Sequence, residues 1–284
     1  MFGRTRQAYY KSVKSLATKK DISSEVIEKV DNIRDFMPRV GGLKLYYLLN
    51  DDLTKLHVGR DKLFLILKAN DRLIKPKRSY RITTNSHHRF RKYKDIVFDL
   101  TINHPEQVWV SDITYIGSRK NNSYLALVTD AYSKKIMGYD LSNSLVLEGS
   151  LRAMKMALKN RKYKTPLIHH SDRGLQYCSN QYQKILREND VTTSMTVKYD
   201  PYANAIAERV NGILKQEFLL EEYNCDMKTM KKIVEESIEI YNSMRPHLSC
   251  NMLTPDVMHL QSKEIKPSYK KITNTSTFNV ACAG

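Results

Sequence analysis

No cysteine precedes Cys178, and the four present, Cys178, Cys225, Cys250 and Cys282, lack the short spacing that a zinc site or a redox pair requires. A His/His/Cys/Cys zinc module in the N-terminal third is thereby excluded. Long apolar runs are missing too. Leu63 to Leu67 and Tyr124 to Val128 are the longest, far short of the ~20 residues that span a bilayer. The polar, basic stretch from Phe2 to Lys14 has no apolar run behind it, so neither a secretory signal nor a membrane partner is expected and the reading is cytoplasmic. Acid is the third absence. Between Lys75 and Lys94 there is no Asp or Glu, but eight basic residues: Lys75, Lys77, Arg78, Arg81, Arg89, Arg91, Lys92 and Lys94. Such a segment is either a solvated linker or a tract whose self-repulsion phosphates relieve, and its length and purity favour phosphate contact.

What is present agrees with that reading. The 284 residues carry 47 basic against 30 acidic side chains, a formal charge of +17. This balance points to a polyanionic partner, nucleic acid first, and should that partner be duplex DNA a nucleoid-associated location is expected. The length suits one catalytic domain and a smaller module. The first 74 residues read as helical: Asp21 is the expected N-cap of a run with Ile22, Val26, Val30, Ile33 and Met37 at helical spacing, ended by Pro38 and Gly41-Gly42. Helices Leu43 to Leu49 and Arg60 to Ala69 then make a pair of helix-turn-helix size, or simply two core helices. After a basic linker over 75–102, residues 103–265 read as an α/β domain. Three antiparallel strands, Val108 to Ile116, Tyr124 to Ala131 and Lys135 to Leu141, precede a helix from Leu145 to Lys159. A strand over Pro166 to His169, a helix over Asn180 to Glu188, a strand over Val191 to Thr196 and a helix over Ala203 to Leu220 follow. Residues 266–284 form a polar tail.

Three carboxylates stand out. Asp112 lies inside the apolar, β-branched stretch WVSDITYI, where an Asp opposes strand propensity and needs either a buried partner or a cation. Asp172 follows a short strand within HSDRG. That is ordinary turn chemistry by itself, but the loops beyond strand C-termini are where open α/β sheets bind ligands. The adjacent His169 and His170 are expected to be packed or hydrogen-bonded. Glu208 lies on a helix whose Asn204, Glu208, Asn211 and Lys215 share a polar face, with Ile206, Val210, Ile213 and Phe218 forming an apolar stripe. Three carboxylates on rigid elements suit two hard divalent cations and phosphodiester chemistry with no covalent nucleophile.

With these residues in view, the chain resembles the second-frame subunit of insertion-sequence transposases of family three, whose core is similar to retroviral integrase. The segments that carry the resemblance are WVSDITYI, YLALVTDAYSKKIMGY, HSDRGLQY, PYANAIAERVNGILKQEF and YNSMRPHLSCNMLTP, five ordered blocks over roughly 103–257. Residues 173 to 207 leave 35 between Asp172 and Glu208, the separation from which that group takes its name. The resemblance implies a ribonuclease H-like fold with a mixed five-stranded sheet and flanking helices, preceded by a small all-helical DNA-binding module. It further implies a triad of Asp112, Asp172 and Glu208 binding two Mg2+ or Mn2+ ions, and DNA strand cleavage and transfer. Lys215 takes the position of the basic residue that contacts the element's DNA end, and Asn204 and Asn211 are expected DNA contacts beside it. Expected partners are element ends, target DNA, further copies assembled on DNA, and a first-frame product or a fusion to it. Two positions depart from the pattern: Tyr199 stands where a Gly is common, and Ala203 where an acid is usual. A hydrolytic nuclease of the same fold and a catalytically impaired DNA-binding regulator are the alternatives.

Overall fold

The computed structural model describes residues 5–75, 90–117, 123–196 and 205–261. Its centre is a five-stranded sheet in the order β3-β2-β1-β4-β5. Here β1 is Val108–Ile116, β2 Ser123–Asp130, β3 Ile136–Ser142, β4 Leu167–Ser171 and β5 Val191–Met195. The first three strands are antiparallel neighbours, as the close turns between them require, whereas β4 joins β1 and β5 joins β4 in parallel. The parallel joins need crossovers, supplied by α5 (Leu147–Lys159) before β4 and by α6 (Leu175–Cys178) and α7 (Asn180–Glu188) before β5. Ser179 starts α7 by accepting from the Tyr182 N–H.

Alternation along β1 sorts its side chains between two layers. Trp109 joins Ala126, Met137, Ala153, Met154 and Leu186 on the face covered by α5 and α7. That layer is tight at Gly138, where a Cβ would come within 2.1 Å of the Ala153 carbonyl oxygen on α5. The even-numbered residues of β1 face α8 (Ala205–Gln216) and α9 (Met227–Ser243), with Val110 packed near Ala207 and Ile116 among Val210, Ile213 and Tyr241.

Among the described residues, four helices precede the sheet: α1 (Arg6–Phe36), α2 (Gly42–Leu48), α3 (Asn50–Lys55) and α4 (Arg60–Ala69). Their apolar core, with Val26, Val30, Leu45, Leu63 and Leu67, is continuous with the layer under α8 and α9. A polar clasp joins the same regions. Glu217, just past α8, receives Lys44 at 2.9 Å and both Arg245 Nε and Nη2 at 2.8 Å, while its carbonyl accepts from the Arg39 N–H at 3.0 Å. Burial opposes ionisation of Glu217, but Arg245 and Lys44 hold its pKa below the usual carboxylate value.

Several expectations need correction. Asp21 does not cap a helix: α1 begins fifteen residues earlier, with Thr5 accepting from the Ala8 N–H. The apolar spacing that marked residue 22 as the start records where burial begins, because residues before it are exposed and carry no core pattern. The polar turn between the two short helices holds α3. The catalytic-domain helix stops at Gln216 rather than Leu220, since Leu219 adopts a left-handed φ of 60°. Beyond it lie α9, a short 3-10 turn Leu248–Cys250 and α10 (Pro255–Leu260).

Candidate active site

The pairing register brings the two aspartates together. Parallel β1 and β4 match Val110 with His170 and Ser111 with Ser171, so Asp112 and Asp172 are the next residues at the same level on strands ~4.8 Å apart. Asp112 points to the α8 side. There the Asn211 amide donates to its Oδ2 at 2.7 Å, and the Ile113 N–H donates to Oδ1 at 2.9 Å. Asp172 Oδ1 accepts the Gly174 N–H at 2.9 Å, an Asx turn that fixes the loop as it leaves β4. A Cβ at Gly174 would sit 2.9 Å from that oxygen, so a larger residue there would push the Asp172 carboxylate aside. Glu208 is exposed in the first turn of α8, above the sheet.

Electrostatics shows that the three carboxyl groups share one region. Burial first, then the charges of Asp172 and Glu208, push Asp112 up to about 7, against the hydrogen bonds from Ile113 and Asn211. Glu208 is raised by partial burial of its carboxyl. Both donors to Asp112 are neutral, leaving surplus negative charge in a half-dry place. Among the described residues no group of three or more His, Cys, Asp or Glu is gathered closely enough to hold a metal ion as it stands. The donor set nevertheless fits a hard divalent cation, being all carboxylate oxygen with mutual repulsion that a cation would relieve.

Beneath the aspartates lies an aromatic and polar floor that the sequence reading did not assign. His169 Nε2 is 2.8 Å from Ser111 Oγ and 3.1 Å from Tyr182 Oη, and its ring stands 5.9 Å from that of Tyr177. Burial, with some help from His170, lowers the His169 pKa to about 3, so it is neutral. His170 Nδ1 lies 2.9 Å from Ser194 Oγ. Both histidines are packed and bonded, as expected. Ser111 and Tyr177 stand inside the blocks WVSDITYI and HSDRGLQY; that placement was their only signal.

The expected DNA contacts divide. Asn211 is buried, 5% exposed, and its amide is engaged by Asp112, which makes it a positioning residue for the carboxylate. Lys215 is part-exposed near the end of α8. Lys75, Arg91 and Lys92 are exposed, with the Arg91 guanidinium 5.2 Å from the Tyr93 ring centroid. Asn204, Lys77, Arg78, Arg81 and Arg89, like the departures Tyr199 and Ala203, lie outside the described residues.

Comparison with known proteins gives this geometry its context. Two integrase core domain models match, over residues 102–201 and 189–255. Asp112 and Asp172 fall in the first range and Glu208 in the second. A 31 kDa protein of insertion element IS600 from Shigella sonnei is 33% identical over 262 residues, covering 90% of this chain and 94% of that protein. The chain belongs to the IS3-type insertion-sequence transposases with an integrase core domain. The transposase InsF of IS3A from Escherichia coli K12 is 36% identical over 153 residues, an alignment spanning 54% of this chain and 53% of that relative. A simian T-cell lymphotropic virus intasome structure, solved with a PP2A regulatory subunit, matches with a TM-score of 0.50 and 17% identity, covering 84% of this chain and 81% of that one. This last likeness speaks for the fold alone. The general chemistry of this transposase family is polynucleotidyl transfer. No described helix is long and apolar enough to cross a membrane.

Proposed function

We propose that this chain is the catalytic, second-frame subunit of its transposase, and that Asp112, Asp172 and Glu208 hold two Mg2+ or Mn2+ ions and direct cleavage and transfer of DNA strands at element ends. The observation that carries the reading is the β1–β4 register, which sets Asp112 beside Asp172 on the face where α8 presents Glu208. Two bound cations would activate the attacking hydroxyl or water and stabilise the leaving 3′ oxygen.

The chain's own residues prepare that chemistry. The Asn211 amide and the Ile113 N–H hold one oxygen each of Asp112, so its carboxylate cannot rotate away, while the Gly174 N–H does the same for Asp172. Neutral His169, three residues before Asp172, bonds Ser111, the residue before Asp112, and so ties β4 to β1 without adding charge. Burial first, and then the charges of Asp172 and Glu208, keep a proton on Asp112 near neutrality, and a cation held at this place would favour its release. Lys215, two turns along α8 from Glu208, engages the terminal phosphates. Lys75 to Lys94 tracks the duplex backbone, so affinity falls steeply with salt, with a log–log slope of about −0.9 per phosphate neutralised. A first-frame protein, separate or fused, supplies end recognition, and several copies assemble on DNA.

The test is strand transfer from a precut donor end in Mg2+ or Mn2+, with DNA binding measured alongside. Glu208→Gln should abolish joining and leave binding nearly intact, and appreciable joining would overturn the triad. Tyr199, in place of the common Gly before the catalytic helix, favours a second reading, an impaired copy that binds DNA and regulates its element. Wild-type protein that binds ends but joins none would select it.

A further inference from the structure

Helix α1 is 31 residues long, yet only its second half is packed, through Val26 and Val30. Residues 5–21 are exposed apart from a half-exposed Ser12, including Tyr10 at 58% and Val13 at 46%. Charge divides the helix at the same place. Arg6, Lys11, Lys14, Lys19 and Lys20 precede any acid, whereas the second half holds Asp21, Glu25, Glu28, Asp31 and Asp35 against Lys29 and Arg34. Lys29 is taken by Asp52 at 3.2 Å, and Asp31 by Arg72 at 2.8 Å. Lys14, Asp21, Glu28 and Asp35 recur every seven residues, a single line along the helix, and all four are exposed. Val26 and Val30 face the opposite way, so this line points outward along the whole helix.

A charge-divided helix is complementary to its own reverse. We infer that α1 pairs antiparallel with α1 of a second copy, about a two-fold axis between Lys20 and Asp21. Positions whose numbers sum to about 41 then lie opposite. Arg6 meets Asp35, Lys14 lies beside Glu28 and Lys20 meets Asp21, each twice, while Tyr10, Val13 and Ala17 line the seam. A parallel pairing would set the five cations of one copy against the five of the other. The contact is a weak one: a strip ~46 Å long and one helix, ~10 Å, wide is about 460 Å² per partner, against the ~800 Å² of a stable interface. It suits copies already brought together, and a covalent trap is the right way to see it.

Ala17 and Ser24 lie opposite each other across this axis, whereas the two copies of either residue alone are ~10 Å apart along the helices. They also cannot bridge within one chain, a full seven residues being beyond disulfide reach. The full chain carrying Ala17→Cys with Ser24→Cys should form disulfide dimers on mild oxidation in low salt, well above the parent chain and above either single variant. Adding Arg6→Glu and Lys14→Glu should reduce the yield at least tenfold, and further adding Glu28→Lys and Asp35→Lys should restore it. Cross-linking of single variants to the same extent would mean a parallel pairing and overturn the proposal. So would no cross-linking, or a yield indifferent to the charges. If the reversed cations instead weaken DNA binding and leave cross-linking at the parent level, this half of α1 is a DNA arm and the self-pairing is wrong.

Discussion

Two groups of acids lie in the same domain and are treated in opposite ways. Glu106 and Asp130 are fully buried, and their charge is answered on every side. Glu106 accepts the backbone N–H groups of Lys162 and Tyr163 at 2.8 Å each, and has Arg161 at 3.7 Å and His259 at 3.3 Å. Asp130 accepts the Glu106 N–H, the Ser133 N–H and the Ser133 hydroxyl, all at 2.7 Å, and that hydroxyl lies 3.0 Å from His259 Nδ1. The group ties together the chain before β1, the β2–β3 turn, the chain after α5, and α10. Midway along β1, Asp112 is part-buried with neutral donors and two acids in range. Acids matched by cations and amides are architecture. Acids set against one another lower stability, and such stress persists at sites with a use for it.

The largest expected effect sharpens this contrast. Asp112→Asn, Asp172→Asn and Glu208→Gln each keep shape and remove one anionic oxygen ligand, so strand transfer should fall by ~10³-fold or more, at least ~4 kcal/mol of barrier, with melting temperature unchanged or raised. Second in size, Glu106→Ala leaves Arg161 and two backbone N–H groups, all part-buried, without their acceptor and should destabilise by about 3 kcal/mol. Urea unfolding measures it. If Glu106→Ala is silent in unfolding while a triad amide variant unfolds the protein, the division between the two groups is wrong.

Physical range decides which parts of this were legible in sequence. The strands and α7 showed themselves through short-range signals: β-branched runs, close turns, apolar spacing. Asp112 was conspicuous because an acid inside an apolar strand requires an explanation, and Asp172 because of its place after a strand. What joins them is the Ser111–Ser171 register, a pairing across sixty residues that no local pattern encodes. The Glu106–Asp130–His259 group was invisible for the same reason, since its members become neighbours only after α10 folds back. Its spacing from Glu208 put Asn211 on the polar face of its helix. Whether it faces solvent or Asp112 depends on how α8 leans on the sheet. The exposed half of α1 was missed because apolar periodicity reports burial, and an unburied helix has none to report.

A smaller effect tests Asn211. Asn211→Leu fills similar space but takes the amide from Asp112 Oδ2. The carboxylate should become less well held and harder to ionise, lowering strand transfer about tenfold, ~1.4 kcal/mol, with less loss at higher pH. A uniform loss of DNA binding, with normal transfer at saturation, would instead return Asn211 to the DNA surface.

The last prediction concerns pH without divalent metal. An unfolded Asp titrates near ~3.9, whereas burial and the charges of Asp172 and Glu208 raise Asp112 to about 7. Between these values the folded protein holds a proton that the unfolded chain has released. The Asp112 contribution therefore favours folding less and less as pH climbs through that window, and levels off above it. His259 acts in the same direction: burial lowers its pKa, but bonds to Asp130 and Glu106 outweigh this and raise it, so its contribution is lost as pH rises through the raised value. Asp112→Asn removes the first contribution and keeps the second. From pH 5 to pH 8 the wild type should thus lose more melting temperature than the variant, and at pH 8 the variant should be the more stable protein. Mg2+ at pH 8 should then raise the wild type's melting temperature and leave the variant's nearly unmoved. Equal pH slopes in the two proteins would show that Asp112 is not the stressed carboxyl, and the contrast with Glu106 and Asp130 would lose its basis.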